Sequence, residues 1–219
     1  MTATDPARFI KANTEVLDCP LVPEIKLHLA SEIVPIWQLT EEELSERGVP
    51  PPFWAFAWAG GQALARYILD HPHWVAGKTV LDFAAGSGIV AIAAAMAGGK
   101  SVLAADIDPF SKAACLLNAS INKVTIDATG DNLLTDTDTG WDVVLAGDIC
   151  YEQPLATQVE DWLSRHVSRG SAVLIGDPGR TYLPKENLEK LIAYAVKTTR
   201  ELEDMDVRNT TVWQMSGEA

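Results

Sequence analysis

The chain is poor in cysteine and in positive charge, and it has no long apolar run. Each shortage excludes a class of protein. The three cysteines, Cys19, Cys115 and Cys150, are odd in number and far apart. A disulfide framework or a cysteine zinc site is therefore not expected, and Cys150 reads as apolar filler. His71 and His73 flank Pro72 in a turn rather than forming a ligand pair, and no metal is expected. Lys and Arg total 17 against 30 Asp and Glu, a net charge of −13. Nucleic-acid binding depends on Lys and Arg neutralising phosphates, so nucleic acid is not an expected partner. The same imbalance favours approach by a basic, lysine-bearing surface. The longest apolar stretch, from Gly88 to Gly98, is too short and too rich in Ala to span a membrane. The first residues, Met1 to Cys19, mix Asp5, Glu15 and Asp18 with Arg8 and Lys11, unlike a secretory signal or a transit peptide. A cytoplasmic protein is expected, or a mature form whose targeting peptide is absent. Repeats and low-complexity tracts are missing too, and no motif speaks to oligomeric state.

What remains is an ordinary globular composition, 47% hydrophobic and 21% charged over 219 residues. From Thr79 onward strand and helix patterns alternate. Strands are predicted near 79–83, 101–106, 123–126, 142–147 and 171–176, and helices near 88–97, 109–121, 153–166 and 185–196. This alternation predicts an α/β fold, a mostly parallel sheet with helices on both faces. Two β-prone pieces, 198–203 and 209–214, predict a C-terminal hairpin that adds an antiparallel strand. Ahead of this unit, residues 1–20 read as an irregular or helical lead-in. Partial alternation from Glu24 to Leu39 predicts a small hairpin turning near Ala30-Ser31-Glu32. Thr40-Glu41-Glu42-Glu43 has capping-box spacing for a short helix ending near Gly48, and Pro50-Pro51-Pro52 follows it. The expected organisation is an N-terminal extension, 1–52, on a single domain, 53–219.

The most informative run is Val80-Leu81-Asp82-Phe83-Ala84-Ala85-Gly86-Ser87-Gly88. An apolar strand ends in an acid, a small-residue turn follows, and an Ala-rich helix begins. The turn from Ala84 through Gly86 and Gly88 lets backbone approach a ligand closely. Roughly 20 residues on, the next strand ends at Asp106, where a carboxylate can hold two ribose hydroxyls. Together these form a nucleoside half-site. Gly86-Ser87-Gly88-Ile89-Val90-Ala91 also satisfies G-x-G-x-x-A, so a dinucleotide oxidoreductase using NAD is a competing reading. Three features favour S-adenosylmethionine (SAM). Asp82 precedes the glycines, where a carboxylate suits the ammonium of SAM and repels a pyrophosphate. Asp131 and Asn132 follow the third strand, placed to bond an adenine edge. Gly147-Asp148-Ile149-Cys150-Tyr151 closes the fourth strand with an acid and an aromatic, and no hydride-transfer pair is evident.

At that edge Asp148 is the candidate to hold a lysine ammonium and orient the free amine, and Tyr151 to wall its channel. Trp58, beside Gly60-Gly61 at a helix start, is a further candidate for the cofactor pocket, whereas Trp54 and Phe56 read as core. Asp177-Pro178-Gly179-Arg180 follows the fifth strand and faces the same crevice. Asp177 and Arg180 either touch substrate or tie the loop by an ion pair. Adenine or amide methylation would want prolines after Asp148, which are absent. Methylation of a small molecule or a nucleobase stays as an alternative.

Asp148-Ile149-Cys150-Tyr151 resembles the D-x-x-Y signature of the seven-β-strand protein-lysine methyltransferases of methyltransferase family 16. Trp58, the Gly86/Gly88 turn and Asp106 match that family's cofactor positions. Trp58-Ala59-Gly60-Gly61-Gln62-Ala63-Leu64 and Gly176-Asp177-Pro178-Gly179-Arg180 carry the more specific likeness, which runs from about residue 20 to 213. The resemblance implies a Rossmann-like seven-strand sheet and SAM-dependent methylation of protein lysine. It also implies a protein partner, the electron transfer flavoprotein β-subunit, with a ribosomal protein as the alternative.

Overall fold

A computed structural model describes residues 5–30, 51–135, 140–198 and 205–217. Helix α1 spans Pro6–Asn13. Asp5 caps it by accepting from the Ala7 and Arg8 amides, and Pro6 sits where a helix needs no N–H. Strands β1, Glu15–Cys19, and β2, Val22–Leu29, form an antiparallel hairpin. This hairpin turns at Pro20-Leu21. Beyond Ala30, the turn and second half of the hairpin predicted from Glu24 to Leu39, and the helix predicted from Thr40, lie outside the described residues.

Helix α2, Ala59–Asp70, leads into the alternating unit: β3 (Thr79–Phe83), α3 (Ile89–Met96), β4 (Ser101–Ala105), α4 (Pro109–Ile121), β5 (Asp127–Thr129), β6 (Val143–Gly147), α5 (Leu155–Ser168) and β7 (Ala172–Asp177). β8, Leu188–Lys197, and β9, Val207–Met215, complete a seven-stranded sheet in the order β5-β4-β3-β6-β7-β9-β8. β3 to β7 pair in parallel, while β9 lies antiparallel to both β7 and β8.

Neighbouring residues of each central strand enter opposite cores. Val80, Val143, Leu145 and Leu174 join the α2 and α3 side, and Leu81, Val144, Val173 and Ile175 pack against Trp162 and Leu163 of α5. A strand buried on both faces reads as a continuous apolar run, which is why these strands stood out in sequence. The hairpin is not a separate body: Val22, Ile25, Leu27 and Leu29 belong to the α2/α3 core. Trp54 is fully buried under α1 with Ile10 and Phe110, and Phe56 packs there half-buried.

Two predicted elements differ. The third strand begins later, at Asp127 instead of 123. The helix predicted over 185–196 is strand β8. Leu191 is an extra residue in its pairing with β9, since Lys190 faces Trp213 and Ile192 faces Val212. That bulge breaks the period of two, and Leu188, Leu191 and Ile192 come to mimic helical spacing. The strand predicted over 198–203 falls almost wholly outside the described residues. No helix among the described residues is long and apolar enough to cross a membrane.

Candidate active site

In such a sheet, chain order reverses at β3, with β4 on one side and β6 on the other. A cavity of about 600 Å³ opens at the carboxyl ends of these strands, as expected at a switch point. Ala84, Gly86, Asp106, Asp131 and Asn132 line one end, and Trp58, Gly147, Asp148, Tyr151 and Arg180 the other. Ten of the thirteen predicted site residues are thus brought together.

The β3–α3 turn bends sharply, with positive φ at Ala84 (54°), Gly86 (52°) and Gly88 (79°). Asp106 holds it: one carboxylate oxygen accepts from the Gly86 amide at 2.9 Å, the other from the Asp108 amide at 3.0 Å. A carboxylate has further lone-pair positions for ligand hydroxyls. Asp108 caps α4 through the Phe110 amide, and burial raises its pKa to about 6.

Three predicted residues serve elsewhere. Asp82 is 1% exposed and does not line the cavity; it accepts from the Ala91 amide at 2.9 Å. Gly88 opens α3 and has no side chain to cap it, so Asp82 does that work from the strand. Burial raises the Asp82 pKa to about 8, leaving it mostly protonated at neutral pH. In this structure it turns to α3 and not into the cavity, where it was expected to meet a ligand ammonium. Gly88 also lies off the cavity. A Cβ there would press on Cys115, so the glycine allows close packing of the turn on α4. Asp177 is 1% exposed, and its Oδ1 accepts from the Gly179 and Arg180 amides at 2.7 Å. It orders the loop and does not line the cavity.

At the other end, Asp148 sits just past β6 with φ of 56°, a conformation that costs a non-glycine residue about 1–2 kcal/mol. Both its oxygens are engaged. Oδ2 accepts from the Gly61 amide at 2.9 Å, and Oδ1 meets Arg180 Nη2 at 2.6 Å and Nε at 3.2 Å. The first contact needs the start of α2 to lie against the strand ends. A Cβ on Gly60 would collide with the Gly176 carbonyl and the Asp148 carboxylate. The Arg180 guanidinium also lies 5.8 Å from the Trp58 ring centre. Of the two readings of Arg180, the ion pair is the one formed.

Aromatic rings complete this end. Phe53 packs edge-on to Trp58 at 6.0 Å and lies 5.9 Å from Tyr151, and Trp58 Nε1 donates to the Phe53 carbonyl. Burial raises the Tyr151 pKa. Cys150 is buried and its pKa is pushed up to about 12, chiefly by burial, which fits an inert filler. Phe53 and Ile107 were not singled out in sequence. Ile107 is 72% exposed yet lines the cavity beside Asp106, with Leu133 and Leu134 also on its walls. The available signal was an isoleucine between two acids at a strand end. Among the described residues, no group of three or more His, Cys, Asp or Glu is arranged to hold a metal.

A sheet of this order with such a cavity at its switch point defines a Rossmann-like methyltransferase, and comparisons with known proteins agree. The family model "Ribosomal protein L11 methyltransferase (PrmA)" matches residues 63–176. The electron transfer flavoprotein beta subunit lysine methyltransferase of Xenopus laevis is 39% identical over 218 residues, covering 97% of this chain and 87% of that one. The solved ribosomal protein L11 methylase from Lactobacillus delbrueckii superposes with a TM-score of 0.54 at 24% identity, covering 74% of this chain and 81% of that one. Magnesium protoporphyrin IX methyltransferase from Synechocystis, solved with bound SAM, gives a TM-score of 0.54 at 15% identity, covering 72% and 78%. The chain belongs to the family of electron transfer flavoprotein beta subunit lysine methyltransferases, with a methyltransferase domain of the PrmA kind. It is a SAM-dependent methyltransferase.

Proposed function

We propose that this chain methylates lysine side chains of the electron transfer flavoprotein β-subunit. One observation carries the reading: a single cavity joins a nucleoside-type end at Asp106 to an acid-and-aromatic end at Asp148 and Tyr151. Protein-lysine methylation is the family's chemistry.

The residues suit SAM. Asp106 would hold the ribose hydroxyls and the Gly86 backbone would lie along the donor. Ile107, Leu133 and Leu134 offer apolar walls for adenine. The Asn132 amide oxygen accepts from the Leu134 amide, so its nitrogen is the group offered to an adenine edge. Asp131 is tied to the Thr129 hydroxyl and stands beside it. When bound, SAM supplies an electrophilic methyl on a cationic sulfonium. The Phe53, Trp58 and Tyr151 rings make a wall that favours cationic groups.

Asp148 receives the lysine and aligns its amine, which attacks in its neutral form, with solvent taking the proton. Arg180 keeps the carboxylate in place and is a positioning group, and Asp177 orders the loop that carries it. Apart from Pro51, the residues lining the cavity fall within the domain expected over 53–219, and α1 and the hairpin pack against that domain. The match to the PrmA model supports a second reading, in which the substrate is a ribosomal protein. Incubation with labelled SAM and separately purified flavoprotein and ribosomal protein L11, followed by mass spectrometry, decides between them. Label on flavoprotein β-subunit lysines is expected. Label on L11 alone would move the substrate, and label on neither would overturn both readings.

A further inference from the structure

Helix α4 carries two asparagines one turn apart, and both face the outer edge of β2. Asn118 Oδ1 accepts from the His28 amide at 2.8 Å, and Asn122 Oδ1 from the Lys26 amide at 2.9 Å. The match is geometric: i and i+4 on a helix and i and i+2 on a strand both span roughly 6–7 Å. The two amides then diverge. Asn122 returns its nitrogen to the Lys26 carbonyl at 2.6 Å, so its cross-contacts stay on the hairpin. Asn118 sends its nitrogen the other way, to the Ser87 carbonyl at 2.8 Å. Asn118 is fully buried. The His28 amide can only donate and the Ser87 carbonyl can only accept, so the orientation of the side-chain amide follows from its partners.

Ser87 lies between Gly86 and Gly88 in the Ala84–Gly88 turn, three of whose five residues have positive φ. The glycines adopt that conformation freely but also leave it freely, and Ala84 holds it at a cost, so contacts from outside help to fix the turn. Asp106 holds the Gly86 amide from one side, and Asn118 holds the next carbonyl from the other.

We propose that Asn118 is a positioning residue for SAM, through which the N-terminal hairpin holds the β3–α3 turn in its binding shape. The hairpin is thereby part of the donor site although it does not line the cavity. Preorganisation of this kind appears in affinity, because a turn already in its bound shape loses less entropy on binding. The inference rests on the reading that the cavity takes SAM.

The test is calorimetric titration of the full chain with S-adenosylhomocysteine, beside SAM kinetics and thermal unfolding. Asn118→Leu, of similar size but without polar atoms, is expected to weaken binding about tenfold. KM for SAM should rise in step, with kcat at saturating SAM unchanged. Asn122→Ala, which releases the hairpin edge and a contact within α4 to the Asn118 carbonyl but leaves the Asn118 side chain on Ser87, should lower Tm and leave affinity within about twofold. Asn118→Ser serves the same purpose should Asn118→Leu not fold. Unchanged affinity in the Asn118 variants, or equal weakening in Asn122→Ala, would overturn the coupling alone. Failure of the unaltered protein to bind S-adenosylhomocysteine would overturn the donor reading and the coupling with it.

Discussion

The two ends of the cavity are held in different ways. At the donor end, Asp106 accepts from amides of its own loop and of the adjacent turn, and Asp108 caps the helix that follows it. At the acceptor end, Asp148 is held by Gly61 from a helix far earlier in the chain and by Arg180 from a later loop. A carboxylate held by backbone amides keeps its place when side chains change. Asp148 has one such amide, from Gly61, and for its other oxygen depends on the Arg180 side chain. The donor end is therefore the sturdier, and the acceptor end is where single substitutions should separate chemistry from binding.

The largest effect expected is from Asp148→Ala. Loss of the group that aligns the amine should lower kcat by about a hundredfold or more, while affinity for S-adenosylhomocysteine stays near normal. Equal loss of both would erase the contrast between the ends. Next is Asp106→Ala, which frees the Gly86 amide and leaves ribose hydroxyls unpaired. Affinity should fall by about tenfold to a hundredfold in calorimetry. An unchanged affinity would remove Asp106 from the site. Third is Arg180→Gln, which leaves Asp148 on its Gly61 contact. A fall in kcat of about tenfold with unaltered donor affinity is expected. A variant as active as the unaltered protein would show that the amide alone positions the carboxylate.

The smallest effect on the reaction concerns Asp82. Burial holds its pKa at about 8 in the folded protein, against about 4 in an unfolded chain. The folded protein therefore binds the extra proton between those values. Stability tied to Asp82 is complete below pH 4 and is lost as pH rises through 8. Asp82→Asn keeps an acceptor for the Ala91 amide and removes that loss. Thermal unfolding should show the variant ahead by a few degrees at pH 9, with the gap closing toward pH 5. A constant difference at both pH values would mean that Asp82 does not titrate there.

The same contrast governs what could be read in advance. Asp106, the glycine turn and the strands around them were legible because their partners are close in sequence and their spacing follows the βα unit. Asp148 and Tyr151 were recognised as a motif, but the partners of Asp148 were not. Asp177 and Arg180 were paired in expectation because they share a loop, yet one shapes that loop and the other crosses to Asp148. Ile107 and Phe53 went unmarked, since an apolar residue in a loop has no pattern until the opposite wall is known. Asp82 turns to α3 and not to the cavity, a direction that depends on where that helix begins and on Gly88 supplying no cap of its own.

From the amino-acid order came the alternation of strand and helix, the parallel sheet and the location of its ligand-binding edge. Those depend on local backbone preference and on apolar runs, which are written along the chain. The tertiary structure decided which acids face the cavity, which oxygen of each is engaged, that β8 is a bulged strand, and that the hairpin reaches the glycine turn through Asn118. Each of these is set by a hydrogen bond or close contact between distant segments, and such contacts exist only once the sheet has brought those segments together.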